Sequence, residues 1–215
     1  MRNQKNLRIL VECAIMIALA AVLSYVKIWR APLGGSVTLF SMVPIIIIGL
    51  RHGPVWGFIC AFVYSVVQCF IDISELASYG LSAQLFVSSL ILDYFVAFTV
   101  LGTAGFFKPL IDNSKTRTKK IFFVMIAAGT ACVLRYITHV IVGAFVWYEF
   151  TKLMQWNEYA ASGWTQYINK VGMWVYSAVY NLQFMLPETI ITLVAAPAIV
   201  TILSVISNQK KNTLQ

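Results

Sequence analysis

The sequence predicts an all-α integral membrane protein: one transmembrane domain over residues 1–215, six transmembrane helices, both termini cytoplasmic. Three observations carry this. Hydrophobic residues make up 60% of the chain and charged residues only 11%, with a mean hydropathy of +0.79, whereas soluble domains carry roughly 25% charged residues. The apolar residues fall into six runs, all but the second long enough to span a bilayer, which takes roughly 20 residues. The basic residues, 16 against 8 acidic, sit at the ends of those runs. That placement follows the positive-inside rule and argues against a nucleic-acid surface.

The first helix is expected over residues 7–29. Arg2, Lys5 and Arg8 ahead of an apolar run resemble a signal peptide, but the run continues to Trp29, so an uncleaved helix is the better reading. Ala14 and Ala18 stand at small-xxx-small spacing, which lets another helix approach closely. Residues 30–36, Arg30-Ala31-Pro32-Leu33-Gly34-Gly35-Ser36, read as an outer turn. The second run, 37–50, is short and holds Pro44, as expected where irregular backbone lines a cavity. Arg51-His52-Gly53-Pro54 makes an inner turn before the third helix, 55–71. Asp72 to Glu75 and Tyr79-Gly80 are read as an outer loop.

The fourth helix, 82–107, carries Asp93-Tyr94 near its middle. A basic loop follows, with Lys108, Lys115, Arg117, Lys119 and Lys120 against Asp112. The fifth helix, 121–150, leads into an aromatic outer loop with Trp156, Tyr159, Trp164 and Tyr167 as interface anchors or lid residues. The sixth helix, 171–206, contains Tyr176, Asn181, Pro187 and Glu188. Arg2, Lys5, Arg8, Arg51, the basic loop, Lys210 and Lys211 then share one side, against Lys27, Arg30, Lys152 and Lys170 on the other. The side rich in lysine and arginine is the cytoplasm. Cys13, Cys60, Cys69 and Cys132 lie in or beside apolar runs without ligand spacing, and read as small packing residues, with neither a disulfide frame nor a metal site.

The chemistry concentrates on three helices. An ionisable group at membrane depth is by default a functional-site hypothesis. His139, Gly143 and Trp147 recur at i, i+4 and i+8, on one helical stripe. Asp93 needs a partner at that depth: an ion pair with Arg135 is one solution, and accepting a ligand's amino group or charge is the other. Tyr94, Tyr176 and Asn181 add polar edges, and the aromatic faces attract cations. A small, flat, cationic heteroaromatic would use all of them.

Asp93-Tyr94 followed by Gly102 and Gly105, Arg135-Tyr136 with His139, Gly143 and Trp147, and Trp174-Val175-Tyr176-Ser177 leading to Tyr180-Asn181 resemble the ThiT family, thiamine-binding S-components of energy-coupling factor (ECF) transporters. The resemblance implies a six-helix bundle in the cell membrane of a Gram-positive bacterium that captures thiamine outside with high affinity and needs no cofactor. It implies Asp93, Tyr94, His139, Gly143, Trp147, Tyr176 and Asn181 as substrate-binding residues. Gly35, Ser36 and Tyr79 would form a lid, and Ala14 with Ala18 would dock a transmembrane coupling subunit driven by two ATPase subunits. Some members carry glutamate where this chain has the shorter Asp93. The chain holds no Gly-x-x-x-x-Gly-Lys-Ser/Thr motif of its own. A proton-coupled secondary transporter using Asp93, His139 and Glu188 is the alternative, as is an S-component for a related vitamin or thiamine precursor. Gly80-Leu81-Ser82-Ala83 matches an intramembrane serine protease motif poorly, and the chain is read as no enzyme.

Overall fold

A computed structural model describes residues 2–153 and 171–212. Trp156, Tyr159, Trp164, Tyr167 and Lys170 of the expected aromatic loop lie outside the described residues. The elements are α1 (Arg2–Tyr25), β1 (Lys27–Arg30), β2 (Ser36–Thr38), α2 (Val43–His52), α3 (Pro54–Ser78), α4 (Ala83–Asp112), α5 (Arg117–Thr151), α6 (Met173–Val194) and α7 (Ala196–Asn212). Helices α1, α3, α4 and α5 are each long and apolar enough to cross a membrane, and α6 with α7 forms a fifth such unit bent by 43°.

Helix α2 is the hub. Its eight residues from Val43 to Leu50 are all buried, as an element apolar all round must be, and α1, α3, α4 and α7 pack against it. Four consecutive isoleucines are poor helix formers, so burial rather than propensity holds this helix. Its ten residues rise about 15 Å, half a bilayer core. Helices α3 and α4 meet backbone to backbone: a Cβ on Gly102 would stand 2.6 Å from the Phe58 nitrogen.

Several sequence expectations are corrected. The first helix stops at Tyr25 rather than Trp29, and residues 27–38 form an antiparallel hairpin. Val26 and Ile28 favour strand, and Gly34 and Gly35, with φ +84° and +87°, supply the left-handed turn that closes it. Helix α3 continues to Ser78, so Asp72 and Glu75 are helical, not loop. The carboxylate of Asp72 accepts from Gln68 Nε2 at 2.8 Å and Lys27 Nζ at 3.4 Å, which lets a charge stay at this depth. The basic loop shrinks to residues 113–116, since Lys108 to Asp112 and Arg117 to Lys120 are helical. The last run breaks at Ala195. Cys13 and Cys60 form a disulfide between α1 and α3, against the expectation that all four cysteines are packing residues. Their separation of 47 residues carries no signal, because the pairing depends on which helices cross. Cys69 and Cys132 are free and buried.

Candidate functional site

Two π-helical turns make the site. Leu90–Val96 in α4 holds Asp93 and Tyr94; Gly143–Trp147 in α5 ends on Trp147. In a regular helix eight residues make 2.2 turns, so Trp147 would drift off the His139 stripe. A wider turn holds more residues per revolution and brings it back, as π-bulges often do at functional sites. Asp93 then bridges the two helices. Its Oδ1 meets His139 Nδ1 at 3.0 Å, and its Oδ2 accepts from Trp147 Nε1 and from Ser89 Oγ, both at 2.8 Å. Asp93 and Arg135 form no ion pair; the Arg135 guanidinium lies instead over the Phe98 ring, 4.2 Å from its centroid.

Helix α6 presents two stripes. On one, Ser177 and Asn181 hold α5: Ser177 Oγ donates to the Val140 carbonyl at 2.7 Å, and Asn181 Nδ2 to the His139 carbonyl at 3.0 Å. Gly143 packs here, since a Cβ would fall 2.2 Å from Ser177 Oγ and 2.8 Å from Asn181 Nδ2. On the other stripe, Tyr180, Phe184 and Glu188 hold the hairpin. The Tyr180 hydroxyl accepts from Leu33 N at 2.8 Å and donates to the Gly34 carbonyl at 3.0 Å. A Cβ on Gly35 would collide with the Phe184 ring at 2.6 Å. Glu188 accepts from Thr38 N and Thr38 Oγ1, both at 2.6 Å.

These elements line a cavity of about 120 Å³ that is open on one side. Asp93, Tyr94, His139, Trp147 and Asn181 line it, as do Gly35, Ser36 and Tyr79. Tyr79 meets Trp147 edge to face, 5.4 Å between ring centroids. Two expected site residues are placed elsewhere. Gly143 faces Ser177 and Asn181, and Tyr176, 2% exposed, packs against Tyr148 and Tyr180. Gly143 follows His139 at regular helical winding, its N–H bonded to the His139 carbonyl, but the roughly 40° offset of a four-residue step turns it toward α6.

Sequence reasoning missed much of the lining. Tyr64, Gln68 and Asp72 contribute from α3, Lys27 from β1, and Phe184 from α6, beside Glu188, which the sequence offered only for proton coupling. The α3 residues follow a four-residue spacing that would have marked a polar stripe, had the helix been carried past residue 71. The lining holds four carboxylates (Asp72, Glu75, Asp93, Glu188) against three cations (Lys27, Arg30, Arg135). Among the described residues, His139 Nε2 and Gln68 Oε1 are buried there without a hydrogen-bond partner. Buried polar atoms are nearly always paired, so these atoms are available to a ligand. Ser82, the protease candidate, caps α4 by accepting from Leu85 N at 3.4 Å.

Comparison with known proteins fits this geometry. The family model described as "Thiamine transporter protein (Thia_YuaJ)" matches residues 10–210. The chain is 35% identical over 196 residues to "Thiamine transporter ThiT" of Bacillus subtilis (strain 168), covering 89% of each chain. It is 26% identical over 209 residues to "Thiamine transporter ThiT" of Lacticaseibacillus paracasei, covering 94% of this chain and 91% of that one. A solved structure of ThiT from Listeria monocytogenes superposes with a TM-score of 0.69 at 22% identity, over 92% of this chain and 95% of that one, and so shares the fold.

Proposed function

The chain belongs to the thiamine transporter protein family, a family of transporters rather than enzymes, and on that premise we propose that it is a thiamine-binding S-component of an ECF transporter. The observation that carries the reading is Asp93, anchored by His139 and Trp147, in a cavity walled by aromatic rings. A fixed carboxylate beside π faces suits a planar cation, and thiamine joins a thiazolium to an aminopyrimidine. Asp93, Tyr94, His139, Trp147 and Asn181 touch the vitamin, while Gly143 and Tyr176 shape the site from behind. The loop of the hairpin, with Gly35 and Ser36, closes over it together with Tyr79. No cofactor is needed for capture.

The single domain crosses the cell membrane of a Gram-positive bacterium six times, with α2 as the short buried segment and both termini in the cytoplasm. The exposed face of α1 bearing Ala14 and Ala18 docks the transmembrane coupling subunit, and two ATPase subunits drive release inside. Titration of the purified chain with thiamine, its phosphates and its isolated pyrimidine tests the reading. Saturable thiamine binding with quenching of Trp147 fluorescence is expected. Preference for the pyrimidine alone would reassign the site to a precursor, and no binding of any of them would remove the proposal. The contact of Asp93 with His139, with Glu188 in the same lining, keeps proton-coupled transport as the second reading. Thiamine accumulation by this chain alone in ATP-depleted vesicles with a proton gradient would establish it.

A further inference from the structure

Glu188 closes the hairpin-holding stripe of α6 and is 3% exposed. Among the described residues, every hydrogen-bond partner of its carboxylate comes from one stretch: Thr38 N and Oγ1 at 2.6 Å and Ser41 Oγ at 3.4 Å. Phe40, between them, has φ +62°, a left-handed conformation that is uncommon and costly for a bulky residue. The link between hairpin and α2 is thus held in a strained geometry by an acidic side chain from across the bundle. Arg135 lines the same cavity and is 8% exposed. Its Nε and Nη1 find no acceptor among the described residues, although the Glu188 carboxylate lines the same cavity.

We propose that Glu188 and Arg135 form a positioning pair that sets how long the ligand is held: Glu188 binds the hairpin when the cavity is closed and Arg135 when it opens. If the hairpin lifted with no substitute donor, a buried carboxylate would stand unpaired, which is strongly unfavourable. The open donors of Arg135 supply that substitute. Their lack of partners in the closed state is the counterpart of their use in the open one, the two-position arrangement a gate requires. Neither residue needs to touch the vitamin. The proposal rests on reading the hairpin as the lid.

The test uses the full-length purified protein and two readouts. One is the thiamine dissociation rate followed by tryptophan fluorescence. The other is amide hydrogen exchange of residues 31–38 without ligand, which does not depend on thiamine being the ligand. Thr38→Val removes a donor used only in the closed state, and is expected to speed release and hairpin exchange about tenfold, the worth of one charge-assisted hydrogen bond. Arg135→Gln removes the open-state partner and is expected to slow both by a similar factor, while Arg135→Lys stays near the parent. In an Glu188→Gln background, Arg135→Gln should lose its effect. Faster release in Arg135→Gln would make Arg135 a ligand contact and overturn the proposal. Unchanged rates in Arg135→Gln, or slowing that persists in the Glu188→Gln background, would overturn it too. Should the parent bind no thiamine, the functional reading fails and the exchange rates alone decide the gate; should Arg135→Gln not fold, Arg135→Met takes its place.

Discussion

Replacing Asp93 by asparagine separates two contributions that the wild-type site combines. Asp93 Oδ2 serves two donors, Ser89 Oγ and Trp147 Nε1, whereas among the described residues Oδ1 faces only His139 Nδ1. An asparagine therefore keeps its oxygen toward Ser89 and Trp147 and turns its amide nitrogen to His139. In the parent, His139 donates Nδ1–H to the carboxylate, and in its neutral form leaves Nε2 an acceptor. The asparagine NH₂ reverses it, making Nδ1 the acceptor and Nε2 a donor. A ligand amino group offered to Nε2 would then meet a hydrogen, a loss of about 1–3 kcal/mol for an unmade buried bond. The carboxylate's charge is lost as well. At about 5 Å and an effective dielectric of about 20, its attraction for a thiazolium is about 3 kcal/mol. Asp93→Asn is thus expected to weaken thiamine by about 4 kcal/mol or more, near a thousandfold. The neutral pyrimidine alone loses only the hydrogen-bond part, roughly ten- to a hundredfold. Calorimetric titration of both ligands against both proteins checks this. A thiamine affinity within threefold of the parent would refute the role of the carboxylate, and equal losses for the two ligands would refute the charge contribution.

Gly143→Ala places a Cβ 2.2 Å from Ser177 Oγ and 2.8 Å from Asn181 Nδ2. It should destabilise the protein by about 1–3 kcal/mol, lowering the midpoint of thermal unfolding by several degrees, and weaken thiamine binding through the displaced Asn181. An unchanged melting curve would show that α5 and α6 have slack the contacts do not suggest. Ala14→Trp and Ala18→Trp, on the exposed face of α1, are expected to abolish ATP-dependent uptake in cells lacking other thiamine transporters while leaving thiamine affinity intact. Normal uptake would move the docking surface elsewhere. His139→Ala and Trp147→Ala should each cost at least tenfold in affinity, read by titration; full affinity in both would place the ligand outside this cavity.

Much of the site was legible because membrane depth makes polarity conspicuous. Asp93, His139 and Asn181 stand out against apolar runs, and residues so costly to bury must meet partners or ligand. The hairpin was not legible. Val26 to Trp29 continues the apolar run of the first helix, and only the packing of Gly35 on Phe184 and the hold of Tyr180 on Leu33 and Gly34 show where the chain leaves it. Gly143 was misplaced for a related reason: residues four apart on a regular helix are offset by roughly 40°, and whether that offset faces the cavity or α6 is decided by how the helices cross.

Sequence alone therefore determined the solvent, the apolar segments and the polar residues that had to be drawn together, since hydropathy and the cost of buried charge act residue by residue. The tertiary structure decided which partner each of those residues takes. It gave Asp93 to His139 and Trp147 instead of Arg135, tied Glu188 to the hairpin, and joined Cys13 to Cys60. Pairings of this kind depend on helix crossings and local winding, which are properties of the whole packed bundle and belong to no single segment.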